Sequence, residues 1–318
     1  MDFPLWIERI TGGDLRLLAR ALSEIENRGP RKHSLLEALF PHMRKACTIG
    51  VTGAPGTGKS TVVDALAACF RKQDKRVAIL AIDPTSPFTG GSILGDRIRM
   101  QSHEADDGVY IRSMATRGSL GGLAPAAADV LVALDAAGFE VILIETVGVG
   151  QAEVDVVQLA SAVALLLNPS SGSDVQTMKA GIMEIADIFV INKADLAGTD
   201  RLESELRAML SLAPETQEKE PPIVRTVATQ GTGIEELAAL LTTAPLAVER
   251  PADYWERRLI EMVRERLMDT VVEKALPAER LSEAAQQIAA RRLNPFSFAD
   301  ELTRDLLSDS LLNRPKAD

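Results

Sequence analysis

Residues 48–61 read TIGVTGAPGTGKST. A short apolar run, Thr48–Val51, leads into Gly53-Ala54-Pro55-Gly56-Thr57-Gly58-Lys59-Ser60, which fits the pattern GxxxxGK[ST]. Thr61 then opens a stretch with helical spacing that reaches Arg71. Strand, glycine loop and helix in that order form the context this pattern requires. Glycines let peptide N–H groups turn inward around phosphates, and the helix N-terminus adds positive potential. Lys59 is placed to reach the β- and γ-phosphates and the Ser60 hydroxyl to ligate Mg²⁺.

Further short apolar runs follow at Val77–Ile82, Val109–Ser113, Val141–Ile144, Ala162–Leu167, Ile188–Ile191 and Ile223–Val227. Runs without alternation read as strands buried on both faces. Their separation by helix-length segments predicts an α/β fold of the P-loop NTPase type, with a mostly parallel central sheet and helices on both sides. Ligands of such sheets sit at the carboxyl ends of the strands.

Outside this region the pattern is helical, and three segments are expected. Residues 1–46 form an N-terminal helical extension. There Asp14 can cap a helix carrying Leu15, Leu18, Leu22 and Ile25, which stops near Asn27-Arg28-Gly29-Pro30, and a second helix covers Ser34–Lys45. Residues 47–250 form the nucleotide domain. Residues 251–318 form a C-terminal helical arm: Trp255–Leu276 places Ile260, Val263, Leu267 and Val271 on one face, Leu281–Leu293 follows Pro277, and a last helix starts near Phe298. That face needs a partner surface, either the domain itself or a second copy of the chain.

Composition narrows the function. The chain has 318 residues, 46% of them apolar and 25% charged, as in an ordinary globular protein. A net charge of −10 argues against a broad nucleic-acid surface. Cys47 and Cys69 form no CxxC, and His33, His42 and His103 show no metal-ligand spacing. No stretch approaches the roughly 18 apolar residues of a membrane span, and MDFPLWIERI does not read as a secretory signal. A cytoplasmic protein is expected.

The base specificity is written at Asn192-Lys193-Ala194-Asp195, directly after Ile188–Ile191. A carboxylate at Asp195 can accept from both N1–H and the 2-amino group of guanine, a donor pair adenine lacks. The Lys193 stem can lie over the base, and Asn192 can bind the purine N7 or tie loops together. GTP is expected rather than ATP. Thr226–Gly233, TVATQGTG, is expected as the last base-contacting loop, with the Ala228 backbone near the guanine oxygen.

For the metal, Asp83 ends one strand, Asp96 lies in TGGSILGDR and Glu145 ends another. With Ser60 they can hold Mg²⁺ partly through water. Asp96 has the alternative of a solvated loop acid or helix cap, and Asp83, beside Pro84, that of a turn former. ETVGVGQAE, residues 145–153, has the layout of a phosphate switch: Glu145 is the acid and Gly148 offers an N–H to the γ-phosphate. Val149 stands where such switches usually carry Gln, so water-positioning falls to Gln151 after a rearrangement. Hydrolysis should be slow alone and accelerate when a partner reshapes the loop.

Together TGAPGTGKST, DPTSPFTGGSILGDRIRM, TRGSLGGL, ETVGVGQAE and KAGIMEIADIFVINKADL resemble the MeaB/ArgK-type GTPase chaperones of adenosylcobalamin-dependent acyl-CoA mutases, the family of the human methylmalonic aciduria type A protein. The likeness runs from about residue 14 to NPFSFADEL at 294–302. It implies a Mg²⁺-dependent GTPase of the signal-recognition/MinD-like class, GTP and GDP as ligands, and a homodimer joined through C-terminal helices. It also implies a client, methylmalonyl-CoA mutase or a related enzyme, whose cofactor loading, protection and repair it gates. Lys59, Ser60, Asp83, Asp96 and Glu145 would form the phosphate–Mg²⁺ site. Ser170–Lys179 would be a further switch, with Asp174, Gln176 and Lys179 retained and Ser173 where an acid is common. Ala152 replaces the usual Ser of GVGQSE. Cobalamin itself belongs to the client, since DxHxxG is absent.

Rival readings are a transport-associated ATPase or kinase, the older ArgK label, a nickel-delivery GTPase, and a GTP-held scaffold. Asp195 opposes the first, the lack of Cys/His clusters opposes the second, and Val149 leaves the third open.

Overall fold

The computed structural model describes residues 3–83, 106–115, 124–146, 159–170, 186–211, 220–243, 252–274 and 276–312. Seven strands form one sheet: β1 (Cys47–Gly53), β2 (Val77–Asp83), β3 (Val109–Ala115), β4 (Val141–Thr146), β5 (Ala162–Leu167), β6 (Ile188–Asn192) and β7 (Ile223–Thr226). Their order is β3-β2-β4-β1-β5-β6-β7 and every pairing is parallel. Each run expected as a strand is one, most lengthened by a residue or two, while the last ends at Thr226. The chain leaves β1 to build β2, β3 and β4 on one side, then crosses to β5, β6 and β7 on the other. β1 therefore lies at the switch point, where a parallel sheet leaves a crevice beyond its strand ends.

The helices of this region are α1 (Phe3–Thr11), α2 (Leu15–Glu26), α3 (Lys32–Leu39), α4 (Lys59–Arg71), α5 (Ala124–Ala136), α6 (Thr199–Leu210) and α7 (Ile234–Thr243). Alternate residues of each strand face opposite layers. Ala78, Leu80, Ile82, Ile142 and Ile144 pack with α1, α2, α3 and α5. Val77, Ile79, Val141, Leu143 and Ala164 pack on the other face with α4 and α7, while Leu165, Leu167, Phe189 and Ile191 pack with α6. The five inner strands are thus buried on both sides, which is why they lack polar alternation, while the edge strand β7 exposes Arg225.

The N-terminal helices share that core. Asp14 caps α2, accepting from Arg16 N and Leu17 N at 3.0 Å each. Arg112 on β3 reaches across to α2, donating to Glu26 Oε2 at 2.5 Å and to Ser23 Oγ at 3.3 Å. Lys32 on α3 pairs with Asp129 on α5 at 2.9 Å, both almost wholly buried. α1 was not expected, and α3 stops at Leu39 in a 3₁₀ turn, Phe40–His42, rather than running to Lys45. Pro41 has no N–H to donate back to Glu37, so the α-helical ladder cannot continue through it.

The chain divides into two compact units, Met1–Pro251 and Ala252–Asp318. In the second, α8 (Ala252–Lys274), α9 (Ala278–Ala289) and α10 (Pro295–Leu312) follow one another. Asn294 caps α10, accepting from Phe296 N and Ser297 N. Along α8 Ile260, Val263 and Leu267 are each at least half exposed. No helix among the described residues is long and apolar enough to cross a membrane.

Candidate nucleotide site

The phosphate loop leaves β1 at Gly53, passes through Ala54, Pro55, Gly56 and Thr57, and enters α4 through Gly58. Two glycines are required by their surroundings. Gly53 has φ +143, and a β-carbon there would lie 2.4 Å from the Leu166 carbonyl oxygen on β5. Gly58 has φ +94, and a β-carbon would lie 2.5 Å from Asn192 Nδ2. The loop is braced from within, since Thr57 Oγ1 donates to the Ala54 carbonyl at 2.9 Å. Lys59, the first residue of α4, is buried and folds back on the loop, donating to the carbonyls of Gly53 at 2.8 Å and Ala54 at 3.0 Å. Thr61 is exposed on the first turn.

Ser60 faces the end of β4. Its hydroxyl donates to Glu145 Oε1 at 2.5 Å, and Glu145 is buried. One residue on, the hydroxyls of Thr52 and Thr146 meet at 3.3 Å with both residues fully buried. A hydroxyl and a carboxylate are hard oxygen donors of the kind Mg²⁺ takes, so this pair fits part of a magnesium shell. Asp83 is the last residue of β2, with its side chain outside the described residues. Asp96 also lies outside them, as do Gly148, Val149, Gln151, Asp174, Gln176 and Lys179, together with Ala152 and Ser173. Among the described residues no cluster of three His, Cys, Asp or Glu forms.

The base-side residues converge on the loop from β6 and β7. Asn192, the last residue of β6, is buried and makes three bonds. Its Nδ2 donates to the Thr57 carbonyl at 2.8 Å, while its Oδ1 accepts from Thr226 Oγ1 at 3.1 Å and Ala228 N at 3.3 Å. Of the two roles open to Asn192 in the sequence, tying loops together is the one these bonds describe, and Ala228 N is engaged in that tie. Lys193 has φ +57 and lays its stem toward the loop, where Nζ donates to the Gly56 carbonyl at 2.9 Å. Asp195 is exposed on the turn that follows, and Ala194 N anchors that turn to the Thr226 carbonyl at 3.0 Å. The Thr226–Gly233 segment closes on itself through a Val227–Thr232 bridge.

Sequence reasoning did not find the Thr52–Thr146 pair or the hydroxyl of Thr226. Their signal is a threonine at the carboxyl end of an otherwise apolar strand, which is faint without knowing which strands adjoin.

The arrangement places a cationic side chain, a helix N-terminus and a ring of peptide groups at the end of β1, with oxygen ligands beside them and an acid on a turn two strands away, after β6. It is suited to a purine nucleotide and its phosphates. Comparison with known proteins agrees. The family model described as methylmalonyl Co-A mutase-associated GTPase MeaB matches residues 18–280. A Pyrococcus abyssi protein bearing a provisional GTPase name is 44% identical over 314 residues, covering 96% of this chain and 97% of that one. The mouse protein named methylmalonic aciduria type A homolog, mitochondrial, is 31% identical over 320 residues, covering 92% and 76% respectively. The crystal structure of a LAO/AO transport system kinase superposes with a TM-score of 0.64 at 23% identity, over 96% of this chain and 97% of that one, a likeness of fold.

Proposed function

The chain belongs to the MeaB family of methylmalonyl Co-A mutase-associated GTPases, and on that premise we propose that it serves as the chaperone and gatekeeper of an adenosylcobalamin-dependent acyl-CoA mutase. It is a GTPase and binds GTP and GDP. The client we propose is methylmalonyl-CoA mutase or a close relative, in the cytoplasm, with this chain acting as a homodimer. The reading draws on the family description, on the name of the mouse relative, and above all on one observation: Asn192 ties the phosphate loop to the base-side loops through three hydrogen bonds.

In this reading Lys59 leaves the Gly53 and Ala54 carbonyls for the β- and γ-phosphates. Peptide N–H groups of Gly53–Ser60 cradle the phosphates, Lys193 covers the base and Asp195 accepts from guanine. Bound Mg²⁺, held by Ser60, Glu145, Asp83 and Asp96, would neutralise charge on the phosphate oxygens. The Ser60–Glu145 hydrogen bond holds these two oxygen ligands side by side. Gly148 senses the γ-phosphate, Gln151 positions water, and Asp174, Gln176 and Lys179 carry the signal to the client. Neither Gly148 nor Val149 supplies a side chain able to orient water, so Gln151 takes that part only once the partner has reshaped the loop.

GTP turnover measured alone and with the purified mutase of the same organism tests this. A slow basal rate rising at least tenfold with the mutase is the expected result. No rise with any candidate mutase, despite normal GTP binding, would overturn gated hydrolysis in favour of the scaffold reading that Val149 leaves open.

A further inference from the structure

The amino-terminal ends of three strands open onto a second polar cavity. Cys47 begins β1, Val77 begins β2 and Val141 begins β4. The residues leading into them line a pocket of about 490 Å³, within the roughly 300–1,000 Å³ of small-molecule sites. It lies at the opposite end of the sheet from the phosphate loop, about 20 Å away along β1 at the usual rise per residue. Arg44, Lys45, Lys75 and Arg76 line it against a single carboxylate, Glu140. That is a concentration of positive charge in a chain whose net charge is −10.

The two guanidinium groups are anchored by uncharged partners. Arg44 Nη2 donates to the Thr11 carbonyl at 3.0 Å, and the Arg44 backbone N–H donates to Asp135 at 2.7 Å. Arg76 Nη1 donates to the Ala137 carbonyl at 2.8 Å, and its guanidinium stacks 4.7 Å from the Phe139 ring centre. Glu140 Oε2 accepts from the Arg76 backbone N–H at 3.1 Å. Both guanidinium groups converge at Gly138: a β-carbon there would lie 2.8 Å from Arg44 Nη1 and 3.2 Å from Arg76 Nη1. Gly138, at φ +86, leaves that space clear. Burial, and then the charge of Arg44, hold the Arg76 guanidinium below its ordinary pKa. Two like charges brought together in a partly desolvated pocket are unfavourable until an anion bridges them.

We infer that this pocket binds a small molecule carrying adjacent phosphate groups, with Arg44 and Arg76 gripping one phosphate at Gly138 and Lys45 and Lys75 adding charge around it. Planar guanidinium groups match pairs of phosphate oxygens better than ammonium groups do. The concave form selects a small molecule over the flat face of an acidic protein. Cys47 is a bystander, since burial raises its thiol pKa and keeps it protonated.

The test uses the full chain with its phosphate loop saturated by GDP, in metal-free buffer of constant ionic strength, titrated with tripolyphosphate in a calorimeter. The wild type should show a saturable site. Affinity should fall at least tenfold in Arg76→Gln and in the Lys45→Gln/Lys75→Gln double variant, with GDP affinity unchanged in both. The lysine variant alters side chains that are exposed or half-buried, so the core stays intact even if Arg76→Gln weakens the fold. Absence of saturable binding in the wild type, or full affinity in the lysine variant, overturns the inference. So does equal binding of a polyglutamate peptide through the same residues, since the pocket would then read acidic chains rather than phosphate.

Discussion

At the scale of single residues, Asn192 and Asp195 divide the work. Asn192→Ala would strand the Thr57 carbonyl and the Ala228 N–H in a buried setting, at about 1–3 kcal/mol for each unsatisfied group. GDP affinity should fall at least tenfold, with a lower melting temperature, read by calorimetry and thermal denaturation. Asp195→Asn changes recognition instead. The carboxamide offers one acceptor and one donor, which suits the N1–H and 2-oxo groups of xanthine and not the two donors of guanine. Guanine nucleotide affinity should drop roughly a hundredfold or more while xanthosine diphosphate gains, and equal loss for both bases would count against Asp195 as the base reader. The letters NKAD made Asn192 conspicuous but left its partner open. Its partners are a peptide carbonyl of the phosphate loop and a threonine hydroxyl and peptide N–H of the Thr226–Gly233 segment, two stretches far apart in the chain, and backbone atoms leave no trace in a string of side chains.

At the scale of elements, the cap of α2 offers a pH-dependent test. The Leu17 N–H, with the Arg9 guanidinium adding to it, holds the Asp14 carboxyl below its ordinary 3.8. A carboxylate whose folded pKa is depressed contributes stability above its unfolded pKa and loses it as the pH falls through the folded value. Asp14→Ala should therefore melt at a lower temperature than wild type at neutral pH, and the gap should close below about pH 3.8. A gap that persists in acid would mean that the hydrogen bonds of the cap do not depend on its charge. Asp14 was legible because capping is local. α1 was not: its buried Trp6, Ile7 and Ile10 become one face only once α2 and α3 are there to cover them. The early end of α3 was legible in principle, because Pro41 cannot donate a ladder hydrogen bond.

At the scale of the whole molecule, the second unit carries the homodimer proposal. Ile260, Val263 and Leu267 stand about a turn apart on α8 and are 50–58% exposed, an apolar row that water does not favour. Ile260→Asp with Leu267→Asp should sediment as a monomer where the wild type sediments as a dimer, and an unchanged dimer would move the interface elsewhere. The seven strands were legible because buried parallel strands are short, apolar and spaced by helices. Their order was not, since β4 lies between β1 and β2 by a crossover that no local signal encodes. That order has a consequence for how the protein is made. β1 bears the phosphate loop, yet both of its sheet neighbours, β4 and β5, come later in the chain. About 90 residues must be translated between Gly53 and Val141, which takes roughly 5–18 s on a ribosome. During that interval the strand has neither partner edge, and the nascent chain carries a glycine-rich, half-apolar segment that cannot yet hold nucleotide. Biosynthesis, rather than turnover, is the moment at which this sheet most needs protection from aggregation.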